Sequence, residues 1–296
     1  MDAPHRPRLR VGVVSAGRVG SVLGAALRSA GHLMTGVAAV SDISRLRAEA
    51  LLAGVPILPA DQVVADCELL ILAVPDDVLP GLVEGFASAG VFRPGQFIAH
   101  TSGGYGVSVL APAVESLPMA IHPAMTFTGT SIDLSRLHDT PFGVTAAEEI
   151  RPVAEALVVE MGGDPIWVPE DARAVYHAAM VIGSNYLNVL VNESISLLKD
   201  AGMENPGRLL APLLSASLDN ALRFGDKALT GPVVRGDSVT VRKHLDALAD
   251  RPQTRSAYQV LGRLAVDRAL EAGMITVDQA ANLLIELGDE QMGGAL

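Results

Sequence analysis

Cysteine is nearly missing from this chain, and Cys67 stands alone. One thiol closes no internal disulfide and builds no cysteine-based metal cluster, so no metal site is expected. Set in an apolar run, Cys67 reads as a small buried hydrophobe. Charge is also thin, at 19% of residues against 49% hydrophobic, which excludes a disordered chain. Positive charge is the scarcer sign: 22 Lys and Arg against 33 Asp and Glu leave a net charge of −11. That deficit argues against nucleic acid or an anionic membrane as a partner, and leaves an anionic substrate to a few local cations. No uninterrupted apolar run approaches the roughly 18 residues of a membrane helix. The opening MDAPHRPRLR runs into a strand-and-turn pattern, not a signal peptide. A cytoplasmic protein is expected.

What the 296 residues do contain is glycine and alternation. Short apolar strands alternate with helical stretches up to about residue 169, the pattern of an α/β, Rossmann-type, doubly wound and mostly parallel sheet. Strands are expected at 10–14, 35–40, 55–57, 68–74, 96–100, 118–122, 142–145 and 165–169, with helices at 18–30, 44–53 and 147–163. The residues after Pro169 read as an all-α domain. It begins with one unbroken helix over 170–201 and continues with helices near 206–224, 238–249, 255–272 and 276–288. The last opens on a capping box, Thr276 with Gln279. The chain therefore divides into two domains, 1–169 for a dinucleotide and 170–296 for substrate and dimerisation, with a cleft expected between them.

The stretch LRVGVVSAGRVGSVLGAAL is a strand, a tight turn and a helix. It has the layout of a pyrophosphate turn, with Ser15 where the first glycine of G-x-G-x-x-G stands. Ser15, Ala16, Gly17, Arg18, Val19 and Gly20 are therefore the candidate cofactor turn. Gly17 lets the backbone approach the pyrophosphate, Gly20 lets the helix pack, and the helix N-terminus attracts the anion. Ser15 is small enough for the turn but is expected at ordinary φ and ψ. Ser41 occupies the expected tip of strand two, with Asp42 beside it and Arg45 and Arg47 beyond. A serine with arginines suits a 2′-phosphate, so NADP is favoured over NAD, provided Asp42 points to solvent. Val74 and Pro75 end the 68–74 strand at the crevice, and Asp76 is expected to cap the next helix.

Three further segments, HTSGGYG (100–106), IHPAMTF (121–127) and LTGPVVRGDSVTVRKHL (229–245), join HAAMVIGSNYL (177–187) in a recognisable order. The chain resembles a bacterial family with a Rossmann-like N-terminal domain and a helical C-terminal domain of unknown function. That family is a branch of the 6-phosphogluconate dehydrogenase-like superfamily, with the β-hydroxyacid dehydrogenases, pyrroline-5-carboxylate reductase and ketopantoate reductase. The resemblance implies a nicotinamide-dependent oxidoreductase with its site between domains, ketopantoate as a lead substrate, and a homodimer through the helical domain. One departure stands out. The β-hydroxyacid dehydrogenases carry a lysine four residues before the helix asparagine, and counting back from Asn185 gives Val181.

Carbonyl reduction needs a proton donor, and histidine suits it at neutral pH. His5, His32 and His138 sit in tail or loop settings. His100 is expected to line the nicotinamide end of the crevice with Thr101 and Ser102. His122 ends a strand before Pro123, and His177 lies on the long helix, eight residues from Asn185 and on its face, with Asn188 and Asn192 further along. His122 or His177 is the candidate acid, with Asn185 orienting the carbonyl. Arg235, before a helix that Asp237 should cap, is the candidate anchor for a small carboxylate substrate. Two other readings stay open: a non-catalytic NADP-binding redox sensor, and a structural module whose long helix dimerises.

Overall fold

The computed structural model describes residues 8–288; the tail residues 1–7, His5 among them, lie outside that range. Seven strands form one sheet in the order β2-β1-β3-β4-β5-β6-β7. They are β1 (Arg10–Val14), β2 (Leu33–Ala38), β3 (Leu69–Leu72), β4 (Phe97–His100), β5 (Leu117–Pro123), β6 (Pro141–Ala146) and β7 (Asp164–Trp167). All pairings are parallel except β5 with β6. The expected strand at 55–57 survives only as a bridge, Val37 to Ile57, at the outer edge of β2. The doubly wound expectation otherwise holds.

Alternation explains why β3 reads as an unbroken apolar run. Leu69 and Ile71 pack into the cluster that includes Val11, Val13, Met119, Ile121 and Leu23. Leu70 and Leu72 face the opposite cluster with Val14, Ile98, Val83 and Cys67. Both faces are therefore covered, as a parallel sheet requires. The covering helices are α1 (Arg18–Ser29), α2 (Asp42–Leu51), α3 (Ala60–Ala65), α4 (Leu79–Ser88), α5 (Ile132–Arg136) and α6 (Arg151–Glu160). His32, expected in a loop setting, is in fact buried. It accepts from Leu9 N at 3.1 Å and donates through Nε2 toward Glu160 at 2.9 Å, tying the start of β1 to α6.

The helical stretch that opens at Glu170 is not one uniform helix. A 3-10 turn, Glu170–Ala172, leads into α7 (Arg173–Met180), a wider π turn (Val181–Tyr186) and α8 (Leu187–Asp200). A π turn adds a residue to the helical repeat and rotates the turns C-terminal to it, a common device at functional sites. By length and composition alone, Glu170–Asp200 is apolar enough to cross a membrane, with no Asp, Glu, Lys or Arg between Arg173 and Glu193.

The chain divides into two compact units, residues 1–185 and 186–296. The change from sheet to helix comes at β7, near residue 169, and compactness divides the chain sixteen residues later. The second unit holds α8, α9 (Pro206–Phe224), α10 (Ser238–Ala247), α11 (Pro252–Glu271) and α12 (Val277–Glu286). Val241, Leu245, Val266, Ala269 and Leu283 form its core. Asp237 caps α10 by accepting from Thr240 N at 3.0 Å, and Thr276 with Gln279 completes the capping box of α12.

Candidate active site

The turn after β1 is built from main chain. Ser15 N and Ala16 N both donate to Ala38 O, at 3.1 and 2.9 Å, which locks the turn to β2. Ser15 adopts φ +79°, in the left-handed region where glycine is at ease. The expectation of ordinary φ and ψ is therefore corrected: the turn keeps the backbone path of the missing glycine and forces the serine into it. Gly17 is the N-cap of α1, with no side chain capping the helix, so its first N–H groups face outward. Gly20 is sterically required, since a Cβ there would run into the Ser15 carbonyl oxygen and stand 2.9 Å from Ala73 Cβ. Gly20 thus lets α1 pack closely on the turn, and the uncapped N-terminus of α1 is able to take an anion.

β2 ends at Ala38, three residues before Ser41. Ser41 is therefore not the strand tip but the N-cap of α2, accepting from Ser44 N at 3.2 Å. No carboxylate stands at the strand end, and Asp42 and Arg45 are both exposed on α2. Arg47 points elsewhere. A Cβ on Gly129 would stand 2.7 Å from Arg47 Nε and 3.1 Å from Arg18 Cα, so Arg47 lies across that glycine beside the start of α1.

The second cluster is made of side chains. His122 on β5 places Nδ1 2.8 Å from Tyr176 Oη on α7, and its ring lies 5.9 Å from that of His177. His177 Nδ1 stands 3.9 Å from Asp76 Oδ2. Asp76 does not cap a helix as expected, because α4 begins at Leu79 with Val78 as N-cap and no side-chain bond. The glycines of HTSGGYG leave room for these rings. A Cβ on Gly103 would stand 2.8 Å from His177 Cδ2 and 3.0 Å from His122 Nε2, and one on Gly104 3.1 Å from His177 Nδ1.

Burial pushes the His122 pKa down to about 4, with the His177, Arg173 and His100 charges acting in the same direction. His100 is fully buried, which corrects its expected place on the crevice wall. It bonds Gly106 O at 2.8 Å, and burial lowers its pKa to about 4. Ser102 is also buried, holding Gly104 N and Tyr105 N, at 3.2 and 3.1 Å, in the loop's turn. Thr101 donates its amide to Leu72 O. Arg173 is buried at the start of α7. It donates to Thr145 Oγ1 at 2.7 Å, Gly143 O at 3.0 Å and Ala120 O at 3.1 Å, tying α7 to β5 and β6.

One cavity of about 450 Å³ joins the two clusters. Arg18 and Val19 from the turn, His122 to Phe127 from β5 and its loop, and His177, Val181, Ser184 and Asn185 from the helix line it. Among the sequence candidates it gathers Arg18, Val19, His122, His177 and Asn185. Ser15, Ala16, Gly17 and Gly20 form the turn leading to it. Val74, Pro75, Thr101, Ser102, Ser41 and Arg45 do not line it, and Arg235 is an exposed residue of the second unit. Tyr176, Asp76 and Arg173 were missed as site residues, and Arg47, read with Arg45 as a phosphate cation, is set apart from it by lying over Gly129. Only the adjacency of Tyr176 to His177 gave any signal.

Residues 2–123 match a Rossmann-like domain family, and residues 140–265 match a domain of unknown function, DUF2520. No curated protein sequence matches the chain. Among solved structures, a candidate NADP oxidoreductase from Bacteroides fragilis is similar with a TM-score of 0.72 at 22% identity, over 87% of this chain and 98% of its own. An imine reductase from Pseudomonas sp. gives 0.63 at 20% identity, over 93% of this chain and 98% of its own. A pyrroline-5-carboxylate reductase from Coxiella burnetii gives 0.54 at 17% identity, over 90% and 98%. At these identities the likeness establishes the fold.

Proposed function

We propose that this chain is an NADP-dependent oxidoreductase of the 6-phosphogluconate dehydrogenase-like superfamily, acting on a small keto or hydroxy acid, with ketopantoate the first substrate to test. The observation that carries this reading is the shared cavity. The start of α1, where a pyrophosphate would rest, and a histidine pair able to handle a proton line the same 450 Å³. The similar structures described as reductases and NADP oxidoreductases support it.

A bound nicotinamide dinucleotide supplies hydride at its C4. The first N–H groups of α1 hold the pyrophosphate. Arg47, lying over Gly129, binds the 2′-phosphate in preference to Arg45, and exposed Asp42 leaves that site free of competing negative charge. His177, with the Asp76 carboxylate behind it, gives a proton to the developing alkoxide, and Asn185 orients the substrate. His122 is held neutral by burial and is not the acid. Val181 lines the cavity where a β-hydroxyacid dehydrogenase carries lysine, so the histidine takes over the proton.

The working form we propose is a cytoplasmic homodimer. Leu209, Leu213, Leu222 and Phe224 on α9 and Val260, Leu261 and Leu264 on α11 are all exposed, an apolar surface that a second copy would cover.

Titration of the purified chain with NADPH and NADH tests the reading. NADPH should bind more tightly, Arg47→Ala should weaken it about tenfold or more, and Arg45→Ala should change it little. NADPH oxidation by a keto acid should fall about 10²-fold or more in His177→Ala. Failure of both nucleotides to bind overturns the oxidoreductase. Binding with no turnover leaves the redox-sensing module.

A further inference from the structure

The groups around His122 bear on where its ring carries hydrogen. Tyr176 Oη has one proton to donate, and the acceptor it meets is His122 Nδ1 at 2.8 Å. The other backbone group acting on the phenol oxygen, from Gly143, favours the ionised phenol, as a donor does and an acceptor does not. Arg173, 5.8 Å from the Tyr176 ring, is also a cation and takes no proton from it. With the hydroxyl donating to Nδ1, a neutral His122 carries its hydrogen on Nε2. Nε2 bonds to no group among the described residues, is not sealed in the interior, and belongs to a ring that lines the cavity. The groups acting on the ring are His177 and Arg173 from α7 and His100 from β4, all of which disfavour a second proton on it.

We infer that Tyr176 is a positioning residue that locks His122 as a neutral Nε2–H donor, and that this fixed donor commits the cavity to substrates presenting a carbonyl oxygen. The inference rests on the cavity being a hydride-transfer site. In reduction the C=O π pair moves onto oxygen as hydride reaches carbon. Nε2–H then stabilises the growing negative charge without giving up its proton, and His177 supplies the proton that completes the alcohol. The reducible form of an imine, the iminium, brings its own N–H to the same place, where a fixed donor repels it.

Histidine ¹⁵N spectroscopy of the labelled full chain without nucleotide tests the lock, with His122→Gln used to assign the signals. At pH 7 His122 should show hydrogen on Nε2 and a lone pair on Nδ1. In Tyr176→Phe, with the amide spectrum otherwise folded, the two nitrogens should move toward a tautomer average. Hydrogen on Nδ1, or an imidazolium at pH 7, overturns the lock. Turnover tests the substrate class with NADPH and size-matched keto acids and cyclic imines. Keto acids should exceed imines by about tenfold or more in kcat/KM; imines equal to or faster than keto acids overturn the assignment. His122→Gln, whose amide reaches the Nε2 position, should retain more activity than His122→Asn by about tenfold, and the reverse order overturns the donor role. Absence of turnover with both classes removes the hydride-transfer reading and the substrate class with it, while the spectra still decide the lock.

Discussion

The two ends of the cavity are made of different material. At the start of α1 the site is main chain: two amides tied to Ala38 O, an uncapped helix N-terminus, and Gly20 pressed against Ser15 and Ala73. At the other end it is side chains drawn from three places, Asp76 after β3, His122 on β5, and Tyr176 and His177 on α7. A site of backbone is sensitive to volume and indifferent to protonation. A site that holds a buried side chain answers to protonation as well, because burial holds the His122 imidazole neutral. Substitution and pH should therefore break the two ends separately.

The largest effect belongs to volume at the turn. Gly20→Ala puts a methyl into the Ser15 carbonyl and the Ala73 side chain and should cost about 3 kcal/mol, with loss of nucleotide binding. Gly17→Ala is the contrasting change. Gly17 has φ −70° and ψ −165°, open to any residue, and a Cβ would lie 3.5 Å from Ser15 Oγ, an ordinary contact. That variant should melt within about 1 °C of the parent while NADPH binding weakens, because the methyl stands where the pyrophosphate approaches. Thermal melts of the two proteins decide it, and equal destabilisation would remove the steric distinction between the glycines.

The next effect is smaller and belongs to the histidine end. His100 and His122 titrate near 4 when folded and near 6.5 when free, so between these values the unfolded chain binds more protons. The stability gained by keeping them neutral is complete above pH 6.5 and is lost as pH falls toward 4. Each histidine contributes a slope of about 1 kcal/mol per pH unit at most, since His122 keeps some exposure. Urea midpoints at pH 7, 6 and 5 should fall in that order, and His122→Gln should flatten the slope. A midpoint unchanged from pH 7 to 5 would contradict the burial of both rings.

The turn end was the more legible end in sequence because its determinants are local. A strand, a turn and a helix of nineteen residues carry the whole arrangement, and Gly20 and Asp237 do what their positions forecast. The sheet was legible for the same reason, since β3 repeats its two-sided burial every second residue. The histidine end depends on pairs far apart in sequence: 54 residues separate His122 from Tyr176, and no periodicity relates Asp76 to His177. Burial was equally hidden, so His100 and His122 looked alike as strand-end histidines until one proved sealed and the other open to the cavity. The π turn at Val181–Tyr186 left no mark in composition, and the early end of β2 moved Ser41 from strand tip to helix cap.

Ser15 gives the finest test of the turn end, because there the side chain works against the backbone. Its φ of +79° places Cβ against neighbouring carbonyl groups, a cost of about 1 kcal/mol for a residue other than glycine. Ser15→Gly removes that cost but adds freedom to the unfolded chain, so the net gain should be roughly 0.5 kcal/mol, a rise of about 1–2 °C in Tm. Ser15→Ala keeps the strain and removes the hydroxyl, and should leave Tm unchanged. If NADPH affinity falls in both variants, the hydroxyl itself contacts the cofactor and explains why a strained serine is retained. If affinity is unchanged while only Ser15→Gly is stabilised, the turn holds its shape by the two bonds to Ala38 O alone, and the serine is tolerated by a backbone strong enough to carry it.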